Sequence, residues 1–410
     1  MKRTRALLAA GTTSVLLLTA CGGSGFDDQG SGGGQQSSGP AKLQVLIGSS
    51  GQAETNAVTQ AADAWAKGAG DSVTVTAASD LNQQLAQGFA SSNPPDVFYV
   101  GSDTVASYAS NGSLLAYGDE LKDKDDFYPN LRDAFTVDGK FYCAPKDFST
   151  LALVIDEKAW QAAGLTDADV PTTWDQLASV AQRLTTGGRT GLVTSSEFQR
   201  LGVFAAQAGG SLVTDGKATA NSAQMVQGLT YVKSLLANGS MKFAADVGAG
   251  DGTEALGTGK AAMTIEGNWI VGGVASSYPD LQYKVVKLPA GPAGPATFTY
   301  TNCWGIAADS KNQAAAKQLV EAMTSSDQQL TFAKAFGVMP SVQSAADGFR
   351  QQFPAQAAFI DSAADAQALP NEAGVSDVIT DLNSKLEGLG TGDPQQILDA
   401  TQENLEAALK

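Results

Sequence analysis

Apolar and polar positions alternate along residues 42–47 ("KLQVLI") and 72–77, which predicts two half-buried strands. Between them, residues 52–67 repeat apolar positions at helical spacing around Trp65, so a helix is expected there. Residues 80–91 form a second helical pattern. Residues 96–100 ("DVFYV") then read as a buried strand. A second block repeats the alternation. Residues 151–155 form a strand, and a helix follows from Thr173 to Leu184. Thr173 is its expected N-cap, with Gln176 three residues on completing a capping box, and Trp174 is expected to serve packing. Residues 225–237, 313–324 and 395–409 are helical by the same test. Strands alternating with helices in two blocks imply an α/β fold with a mainly parallel sheet. No internal repeat interrupts the pattern.

The first forty residues follow a different pattern. Lys2, Arg3 and Arg5 precede an uncharged run at residues 6–18. At about 13 residues it is shorter than the roughly 20 needed to span a bilayer, and it reads as a secretory signal. Leu18-Thr19-Ala20-Cys21 resembles the lipobox of bacterial lipoproteins. That resemblance implies cleavage before Cys21 and diacylglycerol on its sulfur. Residues 22–40 are nearly all Gly, Ser, Gln and Asp, the composition of a flexible tether with a reach of about 25 Å.

Composition removes whole classes of activity. The chain has 410 residues and a formal net charge of −16, so phosphate backbones and anionic lipid surfaces are repelled. Nucleic acid is therefore not an expected partner. It contains no histidine, which excludes Ser-His-Asp and Cys-His catalysis and histidine zinc sites. "GTGKAA" (residues 257–262) fails the phosphate-loop pattern, since Glu254 and Ala261 stand where Gly and Ser or Thr are needed. Residues 123–126 are acidic, but Tyr128 occupies the place of the calcium-loop turn glycine. No metal and no cofactor is expected. Among enzymes only a two-carboxylate glycosidase survives, with Asp103 and Glu197 as the candidate pair.

Several ordered stretches resemble the extracellular solute-binding proteins of sugar importers, family 1, which are maltose-binding-protein-like. They are "DVFYV" with Ser102-Asp103, "YASNGSLLAY" (108–117), "APKDFSTLALVIDEKAWQAAGL" (144–165), "PTTWDQL" (171–177), "GKAAMTIEGNW" (259–269) and "NCWGIAADSKNQAAAKQLV" (302–320). The likeness runs from about residue 41 to the end. It implies a two-lobed periplasmic-binding-protein-like (type II) α/β fold with a ligand cleft between lobes joined by crossing strands. The expected divisions are a signal at 1–20, a lipidated Cys and linker at 21–40, lobe 1 at 41–147 plus 302–350, and lobe 2 at 148–301 plus 351–410.

The resemblance also implies function. The chain would be a non-enzymatic, monomeric, lipid-anchored carrier on the extracellular face of a bacterial membrane. It would bind a di- or oligosaccharide and deliver it to the permease subunits of an ABC importer, which have a separate ATPase subunit. A sugar site needs aromatic faces and polar groups. By the family's pattern these are Ser102, Asp103 and Thr104 after the "DVFYV" strand, and Lys146, Asp147, Phe148 and Ser149 on a crossing segment. Glu197, Phe198, Gln199 and Arg200 come from a second-lobe loop, and Asn268 and Trp269 from the "GNW" turn. Trp304, Asn371 and Glu372 complete the set, with Trp269 as the expected stacking platform. Maltose-type members carry an aromatic where Val100 stands and a basic residue where Thr104 stands, so maltose itself is not the expected ligand. Arg200 and Lys146 keep an acidic sugar open as a ligand through charge-assisted bonds. The absence of a dense carboxylate cluster in the sequence speaks against a polyamine. Peptides and other non-sugar solutes, and a surface receptor without transport, are the alternatives. Cys143 and Cys303 fall in the two crossing segments, where side-by-side pairing would allow a disulfide; buried free thiols are the alternative.

Overall fold

The computed structural model describes residues 39–410; Cys21 and the rest of the leader and tether lie outside the described residues. Strands β1 (Lys42–Ile47), β2 (Ser72–Ala77) and β3 (Val97–Gly101) form a parallel set with β1 at its centre. Two long strands follow in sequence, β4 (Ala144–Asp156) and, much later, β9 (Thr297–Ile306). Between these come β5 (Thr190–Thr194), β6 (Met241–Phe243), β7 (Ala261–Gly267) and β8 (Tyr283–Val286). A short β10 (Ala366–Ala368) comes last.

All ten strands join in one sheet, in the order β6-β5-β7-β4-β9-β3-β1-β2, with β8 added to β4 and β10 to β9. Each end is a parallel triplet, and each triplet meets its long strand antiparallel: β7 on β4, and β3 on β9. The long strands pair antiparallel with each other and carry the sheet from one triplet to the other, with an irregularity between Asn302 and Cys303.

Packing explains why β4 is buried along its whole length. Its side chains alternate between two faces. Leu151, Leu153 and Ile155 enter one apolar core, while Ala152 and Val154 enter another. The first-lobe core draws on residues 43–144 and 303–345, and the second-lobe core on residues 151–298 and 375–405. A third core combines Leu131 and Ala333 with Val154, Ala255 and Phe359. It takes residues from both expected lobes, a feature that a clean two-lobe division of the sequence leaves out.

Helices α1 (Gln52–Ala69), α2 (Leu81–Ala90) and α3 (Trp174–Leu184) follow the predicted pattern closely, as does α5 (Ala223–Ala237), whereas α4 (Phe198–Gln207) stands where a loop was expected. The pattern also holds for α6 (Gln313–Met323) and α9 (Pro394–Ala408), while α7 (Ser326–Phe336) and α8 (Val375–Leu386) were not among the predicted helices. Thr173 caps α3 by accepting from the Gln176 amide. The expected return bond differs, because the Gln176 side chain accepts from the amide and hydroxyl of Thr172, one residue earlier. Trp174 stacks on Tyr231 at 4.3 Å and donates to Gln207, a packing role. Cys143 and Cys303 are joined as a disulfide with Cα atoms 5.6 Å apart, at the first-lobe end of the crossing strands.

Candidate functional site

A cavity of about 600 Å³ opens where the crossing strands leave the two triplets. Its first-lobe wall is built at the carboxyl ends of β1 and β3, where open α/β sheets place ligands. Gly48, Ser50 and Glu54 follow β1, and Gly101, Ser102 and Asp103 end β3. Asp103 Oδ1 packs close over Gly101, where a Cβ would lie 2.3 Å from it and would turn the carboxylate away. The floor comes from Lys146, Asp147, Phe148 and Ser149 on β4 and from Thr299, Tyr300, Thr301 and Asn302 on β9. The second-lobe wall holds Gln199, Asn268 and Trp269, and α7 and α8 close the sides with Phe336, Ser376, Ile379 and Thr380.

The first-lobe wall is organised around a buried cation. Lys146 Nζ lies 3.1 Å from Glu54 Oε1, contacts Asp147 Oδ2, and sits 4.6 Å from the centre of the Tyr99 ring. Glu54 is fully bonded: Oε2 accepts from the amide and hydroxyl of Ser50, and Oε1 also accepts from Tyr99. Burial opposes ionisation of Glu54, yet Lys146 and the Ser50 bonds outweigh it and hold the carboxyl below its ordinary value. Asp147 shares the same lysine with fewer bonds. Burial therefore leaves its carboxyl above the usual range, and the Glu54 charge pushes the same way. Burial also works against the ammonium of Lys146, but Asp147 and Glu54 keep it charged beyond its ordinary range.

The second-lobe wall repeats the device with an arginine. Arg200 NH2 lies 3.1 Å from Glu266 Oε2, and the guanidinium stands 5.0 Å from the centre of the Trp269 ring. Trp269 Nε1 donates to the same carboxylate at 2.9 Å, and its ring meets Tyr300 edge-on at 5.4 Å. Burial raises the Glu266 carboxyl above its ordinary value despite Arg200 and Trp269. Gly267 leaves room for the indole, since a Cβ would come within 2.2 Å of the ring. Thus held, Trp269 is 41% exposed, the one exposed large apolar side chain among the described residues. Asn268 ties the wall across the cavity, donating to Gly337 O at 2.6 Å while its amide donates to Ser149 Oγ at 2.9 Å.

Ser102, Asp103, Lys146, Asp147, Phe148, Ser149, Gln199, Asn268 and Trp269 were expected at a ligand site, and all line this cavity. Other expected residues do not. Thr104 turns back to bond Gly101 O, and Glu197 stands exposed at the N-cap of α4. Phe198 is buried in the second-lobe core against Phe298. Trp304 is 2% exposed and packs edge-on to Tyr99 in the first-lobe core. Asn371 donates to Ala134 O instead, and the neighbouring Leu369 and Pro370 line the cavity in its place; Glu372 is not among the lining residues. Arg200 and Lys146, expected as clamps for an acidic sugar, are already neutralised by Glu266 and by Glu54 with Asp147.

Sequence reasoning missed Glu54, Glu266 and the run from Thr299 to Asn302. A signal existed for the last. Thr299, Tyr300, Thr301 and Asn302 precede Cys303 on a strand that pairs with the named residues of β4. Glu54 gives no such sign, because a carboxylate in the first turn of a helix is ordinarily a solvated dipole partner.

Two α/β halves joined by crossing strands around an aromatic and polar cavity define a two-lobed binding protein. The family model for bacterial extracellular solute-binding proteins matches residues 48–330, and the chain belongs to that family. The diacetylchitobiose binding protein DasA of Streptomyces coelicolor is 25% identical over 292 residues, covering 68% of each chain. The fold matches the cyclic alpha-maltosyl-1,6-maltose binding protein of Arthrobacter globiformis with a TM-score of 0.82 and 23% identity, over 91% of this chain and 100% of that one. It also matches UgpB of Mycobacterium tuberculosis in complex with glycerophosphocholine, at a TM-score of 0.77 and 20% identity, over 91% and 99% of the two chains. Among the described residues no helix is long and apolar enough to cross a membrane.

Proposed function

We propose that this chain is the carbohydrate-capturing component of an ABC importer, held at the outer face of the cytoplasmic membrane by a lipid on Cys21. It binds a di- or oligosaccharide in the cavity between the lobes and passes it to separate permease subunits, with ATP hydrolysed by another subunit. It performs no hydrolysis itself. The observation that carries the reading is the Trp269 platform: a large indole, fixed by Glu266, Arg200 and Gly267, left exposed over a floor of hydroxyls and amides. Sugar C–H faces stack on such a ring while their hydroxyls bond the floor. The names of similar proteins, which give diacetylchitobiose and cyclic alpha-maltosyl-1,6-maltose as their ligands, support the same class. Closure follows as a population shift, because only the closed form completes contacts to both walls. The cavity is bounded by the crossing strands, and Lys146, skipped where the register shifts between Asn302 and Cys303, gives those strands a place to bend.

A thermal-shift panel of mono-, di- and oligosaccharides tests the reading. A sugar at a hundred times its Kd should stabilise the fold by about 2.7 kcal/mol and raise Tm by a few degrees. Shifts with peptides or amines but with no sugar would overturn the substrate class. An oligosaccharide cleaved during hours of incubation would overturn the carrier reading in favour of a glycosidase.

A further inference from the structure

The charges around the cavity do not balance. Four charged residues line it: Glu54, Asp103, Asp147 and Lys146. Glu54 is saturated by Ser50, Tyr99 and Lys146, so it neutralises the lysine from below. Asp147 is then the surplus charge. One oxygen contacts Lys146, while Oδ1 takes no hydrogen bond from any described residue and is not sealed in protein. Asp103 stands on the same first-lobe side, exposed and without an ion pair among the described residues. Arg200, beside the Trp269 ring, is held by Glu266.

We propose that the cavity favours a sugar carrying a protonated amine, with Asp147 as its counter-ion, and rejects carboxylated sugars. This rests on the carbohydrate reading above and refines it. A bonded ammonium gives Asp147 the hydrogen bonds that Lys146 alone does not, and charge-assisted bonds are among the stronger polar contacts. Trp269, Tyr300 and Phe336 supply ring faces on the same cavity, which attract a cation as well as sugar C–H groups. A carboxylate would meet Asp147 and Asp103 with no uncommitted cation to receive it. The carboxylate cluster that speaks for an amine is assembled from residues far apart in sequence, which is why the sequence alone pointed away from amines.

The test is calorimetry on the full chain with three disaccharides of similar size: the fully deacetylated glucosamine dimer, cellobiose and the galacturonate dimer. At about pH 6 the sugar amine is protonated, and it should bind about tenfold more tightly than cellobiose, with the galacturonate dimer weakest by a similar factor. In Asp147→Asn the ratio of amine to neutral affinity should fall to within about twofold. If that variant does not fold, the wild type at about pH 9 replaces it, where loss of the sugar's proton must remove the preference. Cellobiose binding as tightly as the amine, or a preference unchanged in Asp147→Asn or at the higher pH, would overturn the proposal. Ethanolamine, protonated at about pH 6, serves as a sugar-free amine. If ethanolamine binds and no sugar does, the carbohydrate reading fails and the charge assignment stands. If sugars bind without regard to charge, the charge assignment fails and the carbohydrate reading stands. No binding by any of the four overturns both.

Discussion

The two walls of the cavity use the same three parts: a cation, a buried carboxylate that holds it, and an aromatic ring against the cation's face. On the first-lobe side these are Lys146, Glu54 and Tyr99, and on the second-lobe side Arg200, Glu266 and Trp269. The difference lies in what each leaves uncovered. Tyr99 is buried and gives its hydroxyl to Glu54, so the first wall offers no ring face; it offers the extra carboxylate of Asp147. The second wall has no spare charge, and it offers the exposed indole. One device, varied by a single residue on each side, yields a polar wall and a stacking wall facing each other. The geometry also explains why each cation is paired. Left unpaired so near the sheet, either would carry a large desolvation penalty.

Stability should separate the walls further. The disulfide belongs to the first side alone. Cys143→Ser with Cys303→Ser should lower unfolding stability by up to about 5 kcal/mol in urea, given the long loop it closes. Equal stability of the reduced and oxidised proteins would remove that asymmetry. Glu54→Ala strands a deeply buried lysine and should lower stability by about 3–5 kcal/mol. Glu266→Ala should lower it by less, about 1–3 kcal/mol, because the Arg200 side chain is 13% exposed and can turn towards water. Equal losses would show that the walls are energetically alike.

The pH dependence should differ in sign. Glu54 has a carboxyl held below its ordinary 4.5, so its contribution is present above that value and lost as the pH falls through the folded-state value. Glu54→Gln should therefore flatten the acid limb of the stability curve. Glu266 is raised above its ordinary 4.5. Its contribution is present below that value and lost as the pH rises through the folded one, so Glu266→Gln should steepen the same limb. Chemical denaturation between about pH 3 and pH 6 distinguishes the two. The smallest stability change should come from Trp269→Ala, about 1 kcal/mol or less, because the indole is already exposed.

The sequence carried the frame of this molecule well because the frame is periodic. Strands β1 and β2 appear where alternation places them, and each helix that was predicted begins within two residues of its expected start, whereas α4, α7 and α8 were not predicted. β4 is much longer than the expected 151–155, because its first half, with Lys146 and Asp147, has no apolar run to announce a strand. The same reason hid the charge balance of the site. Glu54 becomes a site residue only when the end of β1 meets β4, residues 92 apart in sequence. Trp304 and Phe198 show the converse. Both sit in family-like stretches, yet strand pleat and helix face turn them into the cores. Residue type and order indicated which segments build the cavity, while the direction of each side chain needed the fold.

The proposed capture of a sugar rests on Trp269 as its platform. Calorimetric titration of the wild type and of Trp269→Ala, with the sugar that gives the largest thermal shift, tests that role. Loss of a central aromatic anchor should weaken binding by about thirtyfold or more, with the stability of the unliganded protein nearly unchanged. Affinity within about twofold of wild type would contradict the account and place the ligand elsewhere.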